Sequence, residues 1–268
     1  MPATNLNVAI LPVDMTAGDA CANLDYIEKR IDSLPAAIDL IVLPEMCNTG
    51  YTVDPELATA YSESVDGYSM TRLRGIAARR NAAIWGTMAM TDDNGALVNR
   101  GFMIDPSGHT DYYDKHHLFT LGGENKLYTS GRTTPPVIEY KGWRLRMSIC
   151  YDLRFPVWNR WNVRSSNYDA LIIPANWPDA RAIAWHTLLR ARAIENQAYV
   201  VGCNRLGSDP YGTYSIDISH VFNHWGDDIA DRTHDGVILA TFDGAALDRD
   251  RQRFPNLAGA DDFDIITD

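Results

Sequence analysis

The sequence is poor in the features that mark several large classes of protein. It has four cysteines in 268 residues, at positions 21, 47, 150 and 203. They are widely spaced and form no C-x-x-C pair, which disfavours a disulfide framework and a structural zinc site and fits a reducing cytoplasm. Basic residues are outnumbered, 24 to 35, for a formal net charge of −11. Without basic runs or arginine–aromatic arrays, nucleic acid and anionic membranes are poor partners. No apolar run approaches the length of a bilayer span, and Met1-Pro2-Ala3-Thr4-Asn5 lacks the basic-then-apolar pattern of a signal peptide. No Pro/Gly/Ser-rich linker, low-complexity tract or fixed-period repeat divides the chain. One domain over residues 1–268 is expected, long for an average domain but within reach of a layered α/β fold. The seven histidines include His116-His117 and the pair His220 and His224. Neither pair carries an H-E-x-x-H pattern, so no metal or other cofactor is expected.

What is present is an alternation of strands and helices. The pattern predicts a strand at 7–11, a helix at about 19–34 with Leu24, Ile27 and Ile31 inward, a strand at 40–43 and a helix near 69–81. Strands at 82–90 and 99–105 follow, joined by the turn Asp92-Asp93-Asn94-Gly95. Residues 106–136 read as one long irregular stretch, and loops of that length are usually functional. Next come a strand at 143–150, a short helix, a strand at 170–174, a helix at 180–197, and strands at 198–204, 218–223 and 236–242. Such alternation implies mixed sheets covered by helices. The helix at 180–197 carries apolar residues on more than one stripe (Ile183, Trp185, Leu188, Leu189, Ile194). It is therefore expected to be buried on several faces, one against the sheet and another against a second subunit.

Three segments carry chemistry. Residues 143–150 alternate strictly, with Trp143, Leu145, Met147 and Ile149 on one face and Arg144, Arg146, Ser148 and Cys150 on the other. That is the period of a half-buried strand, and it puts Cys150 on the polar side at the strand's end. Asp152 is placed to cap a following helix and Pro156 suits its first turn. A thiol at such a junction lies near backbone N–H groups that stabilise a thiolate and a developing oxyanion, although most cysteines are small buried hydrophobes. Asp39-Leu40-Ile41-Val42-Leu43-Pro44-Glu45 reads as a buried parallel strand that delivers Glu45 to its C-terminal edge. Asp114-Lys115-His116-His117-Leu118-Phe119 holds Lys115 in a loop with bulky apolar neighbours. Singly these are ordinary features, since a strand-closing glutamate is often a cap and a loop lysine is often just solvated.

Together, in the order Glu, Lys, Cys, these segments resemble the carbon–nitrogen hydrolases of the nitrilase superfamily. The resemblance extends to Gly122-Gly123-Glu124-Asn125-Lys126, to Pro174-Ala175-Asn176-Trp177-Pro178 and to Arg190-Ala191-Arg192-Ala193-Ile194-Glu195-Asn196-Gln197-Ala198-Tyr199. The stretch from Cys150 to Trp158 and the stretch from Gly202 to Asp209 are most similar to the omega-amidase branch. The chain departs from the family after Tyr214, where Ile216-Asp217-Ile218-Ser219-His220-Val221-Phe222-Asn223-His224 replaces the usual Gly-Asp/His-Ser stretch.

The resemblance implies a four-layer α-β-β-α sandwich and an amidase acting on the terminal amide of 2-oxoglutaramate and 2-oxosuccinamate. It implies Cys150 as nucleophile, Glu45 as base, and Lys115 with the N–H of Tyr151 facing the oxyanion. Glu124 resembles the family's second glutamate, which orients Lys115 and the substrate. Asn176 and Trp177 are expected at the substrate. Arg154, one turn beyond Cys150, is the first candidate to bind a substrate carboxylate, with a structural ion pair as its rival role. Another amidase of the superfamily (for an N-carbamoyl amino acid or a deaminated glutathione) and an inactive binding protein are the competing readings. A homodimer through the helices after Cys150 and at 180–197 is also expected, with Trp158 and Trp161 as supporting signals.

Overall fold

The computed structural model describes residues 4–233 and 235–267. Its first half consists of β1 (Leu6–Ile10), α1 (Ala20–Asp32), β2 (Leu40–Val42), α2 (Pro55–Tyr61), α3 (Tyr68–Arg80), β3 (Ala83–Thr91), β4 (Leu97–Ile104) and β5 (Thr110–Asp114). The second half holds β6 (Val137–Tyr140), β7 (Trp143–Met147), β8 (Ala170–Ala175), α4 (Ala182–Asn196), β9 (Tyr199–Asn204) and the small hairpin of β10 (Gly207–Asp209) and β11 (Gly212–Tyr214). It ends with β12 (His220–Phe222), β13 (Asp231–Arg232), β14 (Ile238–Phe242) and α5 (Gly244–Arg253).

Two sheets result. The first has seven strands in the order β13-β14-β1-β2-β3-β4-β5, and the second five in the order β12-β9-β8-β7-β6. Each has a parallel centre, β1-β2-β3 in one and β7-β8-β9 in the other, flanked by antiparallel strands.

The two-residue period of β1 sorts the layers. Leu6, Val8 and Ile10 join a core with Leu145, Met147 and Ile172 of the second sheet. Ala9 and Leu11 turn to a separate core with Leu24, Ile27 and Ile31 of α1 and Met70, Leu73 and Ile76 of α3. On the far side, α4 buries Trp185, Leu189 and Ala193 against the five-stranded sheet. The order helix, sheet, sheet, helix is an α-β-β-α sandwich. The sheets touch closely where β4 crosses β7, since a Cβ on Gly101 would lie 2.6 Å from Met147 Sδ. They are also linked by Cys203, whose Sγ lies 3.5 Å from the carbonyl oxygen of Val42.

Several expectations are corrected. The irregular stretch 106–136 contains β5, which completes the seven-stranded sheet. The strand expected at 143–150 ends at Met147 and is not half-exposed. Arg146 and Ser148 are as buried as the apolar face, and segments from both sides of the β6–β7 hairpin cover Arg146. The Arg146 guanidinium donates to the carbonyls of Pro135 (3.2 Å) and Trp158 (2.9 Å). The strand expected at 218–223 shrinks to β12, preceded by a 3₁₀ turn at Ile216–Ile218, where the chain departs from the pattern it otherwise resembles. Trp158 is buried within the subunit, stacked on His116 with its Nε1 donating to Tyr113 Oη at 2.9 Å, so it offers no surface to a partner.

Candidate active site

The chemistry gathers at the C-terminal ends of three parallel strands, the usual place for a site in an open α/β sheet. Glu45 lies just beyond β2, Cys150 just beyond β7 and Asn176 directly after β8. Lys115 follows β5, and Glu124 opens a 3₁₀ turn in the next loop. Two of these positions are held in a left-handed backbone that ordinary residues avoid: Met46, next to Glu45, has φ +54°, and Cys150 itself has φ +44°. Such conformations cost about 1–3 kcal/mol each and persist where the surroundings enforce them, commonly at functional sites.

Lys115, Glu45 and Glu124 form one buried cluster. Lys115 Nζ donates to Glu45 Oε1 at 2.9 Å and to both oxygens of Glu124 at 3.0 and 2.9 Å. All three side chains are at most 1% exposed. Asn99 ties the carboxylates together, its Nδ2 lying 2.7 Å from Glu45 Oε1 and 3.2 Å from Glu124 Oε1. Asn176 holds the other oxygen of Glu45 through its backbone N–H at 2.8 Å, and Phe119 N–H fixes Glu124 Oε2 at 2.6 Å.

Burial disfavours charge on Lys115, but Glu124 and Glu45 outweigh it and hold the ammonium well above its ordinary range. Burial raises Glu124, with Lys115 opposing and Glu45 adding to the rise. Cys150 is pushed well above the usual thiol value by burial and then by Glu45, against the pull of Lys115. The resting nucleophile is therefore a neutral thiol, and the expected thiolate-stabilising effect of the turn does not dominate.

Asp152 is not the N-cap of a following helix; it is the third residue of the 3₁₀ stretch Cys150–Arg154, and its carboxylate caps the start of that stretch at the N–H of Ile149. Fully buried, it accepts from the N–H of Ile149 at 3.1 Å and from Tyr113 Oη at 2.8 Å. Its other oxygen accepts from the N–H of His117 at 2.9 Å.

Glu45, Lys115, Glu124 and Cys150 line one small cavity that opens to solvent. Its walls are Tyr51, Phe119, Tyr151, Trp177, Tyr211 and Tyr214, with Arg154 and Arg181 among them. All eight residues singled out from the sequence, including Tyr151, Arg154, Asn176 and Trp177, thus meet here. The Arg154 guanidinium stands 4.7 Å from the Trp177 ring centroid, and among the described residues no carboxylate pairs with it.

Sequence reasoning missed Asn99, Tyr51, Phe119, Arg181, Tyr211 and Tyr214. The other cysteines lie elsewhere: Cys47 is in the outer core beneath α1 and α3 with its thiol raised to about 12 by burial, Cys203 is between the sheets, and Cys21 is exposed. Among the described residues no group of three or more His, Cys, Asp and Glu is arranged to hold a metal ion.

A buried thiol beside a Glu–Lys–Glu cluster on this sandwich defines a carbon–nitrogen hydrolase. Residues 7–252 match the carbon–nitrogen hydrolase family, and the chain belongs to it, within the nitrilase superfamily. It is an enzyme that hydrolyses amides. It is 37% identical over 260 residues to "Omega-amidase YafV" of Escherichia coli strain K12, covering 96% of this chain and 98% of that one. It is 30% identical over 248 residues to a "2-oxoglutaramate amidase" of Bacillus subtilis, covering 88% and 90%. A solved CN-hydrolase superfamily protein of Xanthomonas campestris, with an arsenic adduct in its active site, superposes with a TM-score of 0.90 at 36% identity, covering 98% and 99%.

Proposed function

We propose that the enzyme hydrolyses the terminal amide of short 2-oxo dicarboxylic acid monoamides, 2-oxoglutaramate and 2-oxosuccinamate, to the acid and ammonia. The observation that carries this reading is near full-length similarity to a protein named omega-amidase, joined to a cavity that holds Cys150 and Glu45 together with the cation of Arg154. The whole chain acts as one catalytic unit.

Cys150 Sγ attacks the amide carbon as Glu45 removes the thiol proton, giving a tetrahedral oxyanion that faces Lys115 and the N–H of Tyr151. Collapse breaks the C–N bond, and Glu45 delivers the proton to departing ammonia. Glu45 then deprotonates a water that attacks the thioester. The second tetrahedral intermediate expels the Cys150 sulfur, which regains a proton as the acid leaves. Glu124 acts by holding Lys115. Asn176 aligns Glu45, and Trp177 and Arg154 take the remote end of the substrate.

The test is ammonia release from a panel of 2-oxoglutaramate, 2-oxosuccinamate, an N-carbamoyl amino acid, deaminated glutathione and an uncharged amide of matched length. A kcat/KM highest for either of the last three would overturn the assignment.

The enzyme acts as a homodimer in the cytoplasm. Support for the dimer comes from apolar side chains left in solvent: Val157 and Val163, in the turns that follow the 3₁₀ stretch Cys150–Arg154 where a helix was expected, are 58% and 64% exposed, and Ile183 and Ile194 of α4 are 87% and 47%. A two-fold contact would cover them, and a monomer in sedimentation at micromolar concentration would exclude it. Among the described residues no helix is long and apolar enough to cross a membrane.

A further inference from the structure

We infer that Arg181 is a second specificity-determining residue, which together with Arg154 grips the 2-oxo acid end of the substrate and rejects the corresponding 2-ammonium compound. The inference rests on the substrate class proposed above and adds to it a residue and a basis for discrimination.

Both arginines line the catalytic cavity. The Arg154 guanidinium carbon stands 4.7 Å from the centroid of Trp177, and that of Arg181 5.2 Å from the centroid of Phe119. Trp177 joins them, since its indole Nε1 donates to the carbonyl of Arg181 at 2.9 Å. Among the described residues neither guanidinium has a carboxylate within 4.0 Å. The acid nearest in sequence, Asp179, is turned away and accepts from the N–H and hydroxyl of Ser215 at 3.0 and 3.2 Å.

Two guanidinium groups without a carboxylate partner, Arg154 half-buried and Arg181 exposed, thus border one cavity in a chain of net charge −11. An anion reaching both would be attracted by each charge, and the aromatic faces hold the guanidinium groups by cation–π contact. Guanidinium is planar and presents paired donors, which suit a carboxylate and an adjacent carbonyl oxygen lying near one plane. A 2-oxo acid offers three such oxygens. In a 2-amino acid an ammonium replaces the 2-oxo oxygen, where it would face a second positive charge instead of accepting hydrogen bonds.

The experiment measures kcat/KM for 2-oxoglutaramate, glutamine and the uncharged amide pentanamide in the native enzyme and in Arg181→Met, which retains the apolar stem over Phe119. The preference for 2-oxoglutaramate over pentanamide falls about ten- to a hundredfold in the variant, the range expected for one charge-assisted hydrogen bond, and discrimination against glutamine weakens with it. Because each readout is a ratio within one protein preparation, partial loss of folded enzyme cancels. An unchanged pair of ratios in Arg181→Met overturns the role of Arg181 and leaves the proposed substrate standing. A native enzyme with no preference for 2-oxoglutaramate over pentanamide overturns both.

Discussion

His117 meets Asp152 twice, through its backbone N–H at 2.9 Å and through its ring Nδ1 at 2.8 Å. Asp152 also holds Ile149, the residue before Cys150, and Tyr113, whose hydroxyl accepts the N–H of His116. One buried carboxylate therefore locks the turn that carries the thiol to the loop that carries Lys115. Asp152→Asn retains the shape but replaces an acceptor with a donor where N–H groups converge. It is expected to destabilise the fold by about 1.5–3 kcal/mol and to lower kcat more than it raises KM. Thermal unfolding and steady-state kinetics check this; a raised KM with unchanged kcat would show that Asp152 does not position the nucleophile.

Cys150→Ala should abolish amide hydrolysis with the fold intact, whereas Cys47→Ala, in the outer core, should lose stability but not chemistry. Residues that act as one unit give non-additive losses. Glu45→Gln combined with Cys150→Ala is thus expected to be scarcely slower than Cys150→Ala alone, and losses that add fully on a logarithmic scale would exclude a shared step.

Burial and Glu45 raise the Cys150 thiol well above its usual value, so the resting enzyme should show no thiolate between pH 6 and about 9, the ordinary thiol range. The difference in absorbance near 240 nm between the native protein and Cys150→Ala measures it. A thiolate titrating below pH 7 would mean that Lys115 overcomes burial, and Glu45 would lose its role as the base for attack.

Far from the cavity, Asp169 is fully buried between Arg144 (2.7 Å) and Arg251 (2.6 Å). Burial alone would raise this carboxyl, but the two guanidinium groups hold it below its ordinary value. A depressed folded value means its stabilisation is complete above the unfolded pKa near 4, and is lost as pH falls through the lower folded value. Asp169→Asn should cost about 3 kcal/mol at neutral pH and flatten the fall in Tm below pH 4. An unaltered acid limb of the Tm profile would discount this pair of ion bridges.

The sequence carried Glu45, Lys115, Glu124 and Cys150 clearly, because each stands in a short motif at a strand or loop end, and it carried the layered fold through its alternation. It did not reveal the burial of Cys150. The polar face of residues 143–150 looks solvated in one dimension, yet Arg146 and Ser148 are buried in the fold. Helix α2 was missed although Asp54 caps it and Pro55 opens it, since it spans only Pro55–Tyr61 and buries little. Strand β5 was hidden by its polar composition, Thr-Asp-Tyr-Tyr-Asp. Asn99 and Arg181 gave no signal, because their roles depend on what the fold brings beside them.

The close contact of Gly101 with Met147 has a bearing on rate. Glu45 and Lys115 ride on the seven-stranded sheet, while Cys150 and Asn176 ride on the five-stranded one. The gap between base and nucleophile is therefore set by the thickness of the sandwich, and the missing side chain at 101 works as its gauge. Gly101→Ala, which touches no substrate, would press on Met147 Sδ and Ile149 Cδ1 at this contact; if those side chains do not yield fully, base and nucleophile shift apart, and a misplacement of about 1 Å can cost a hundredfold in rate.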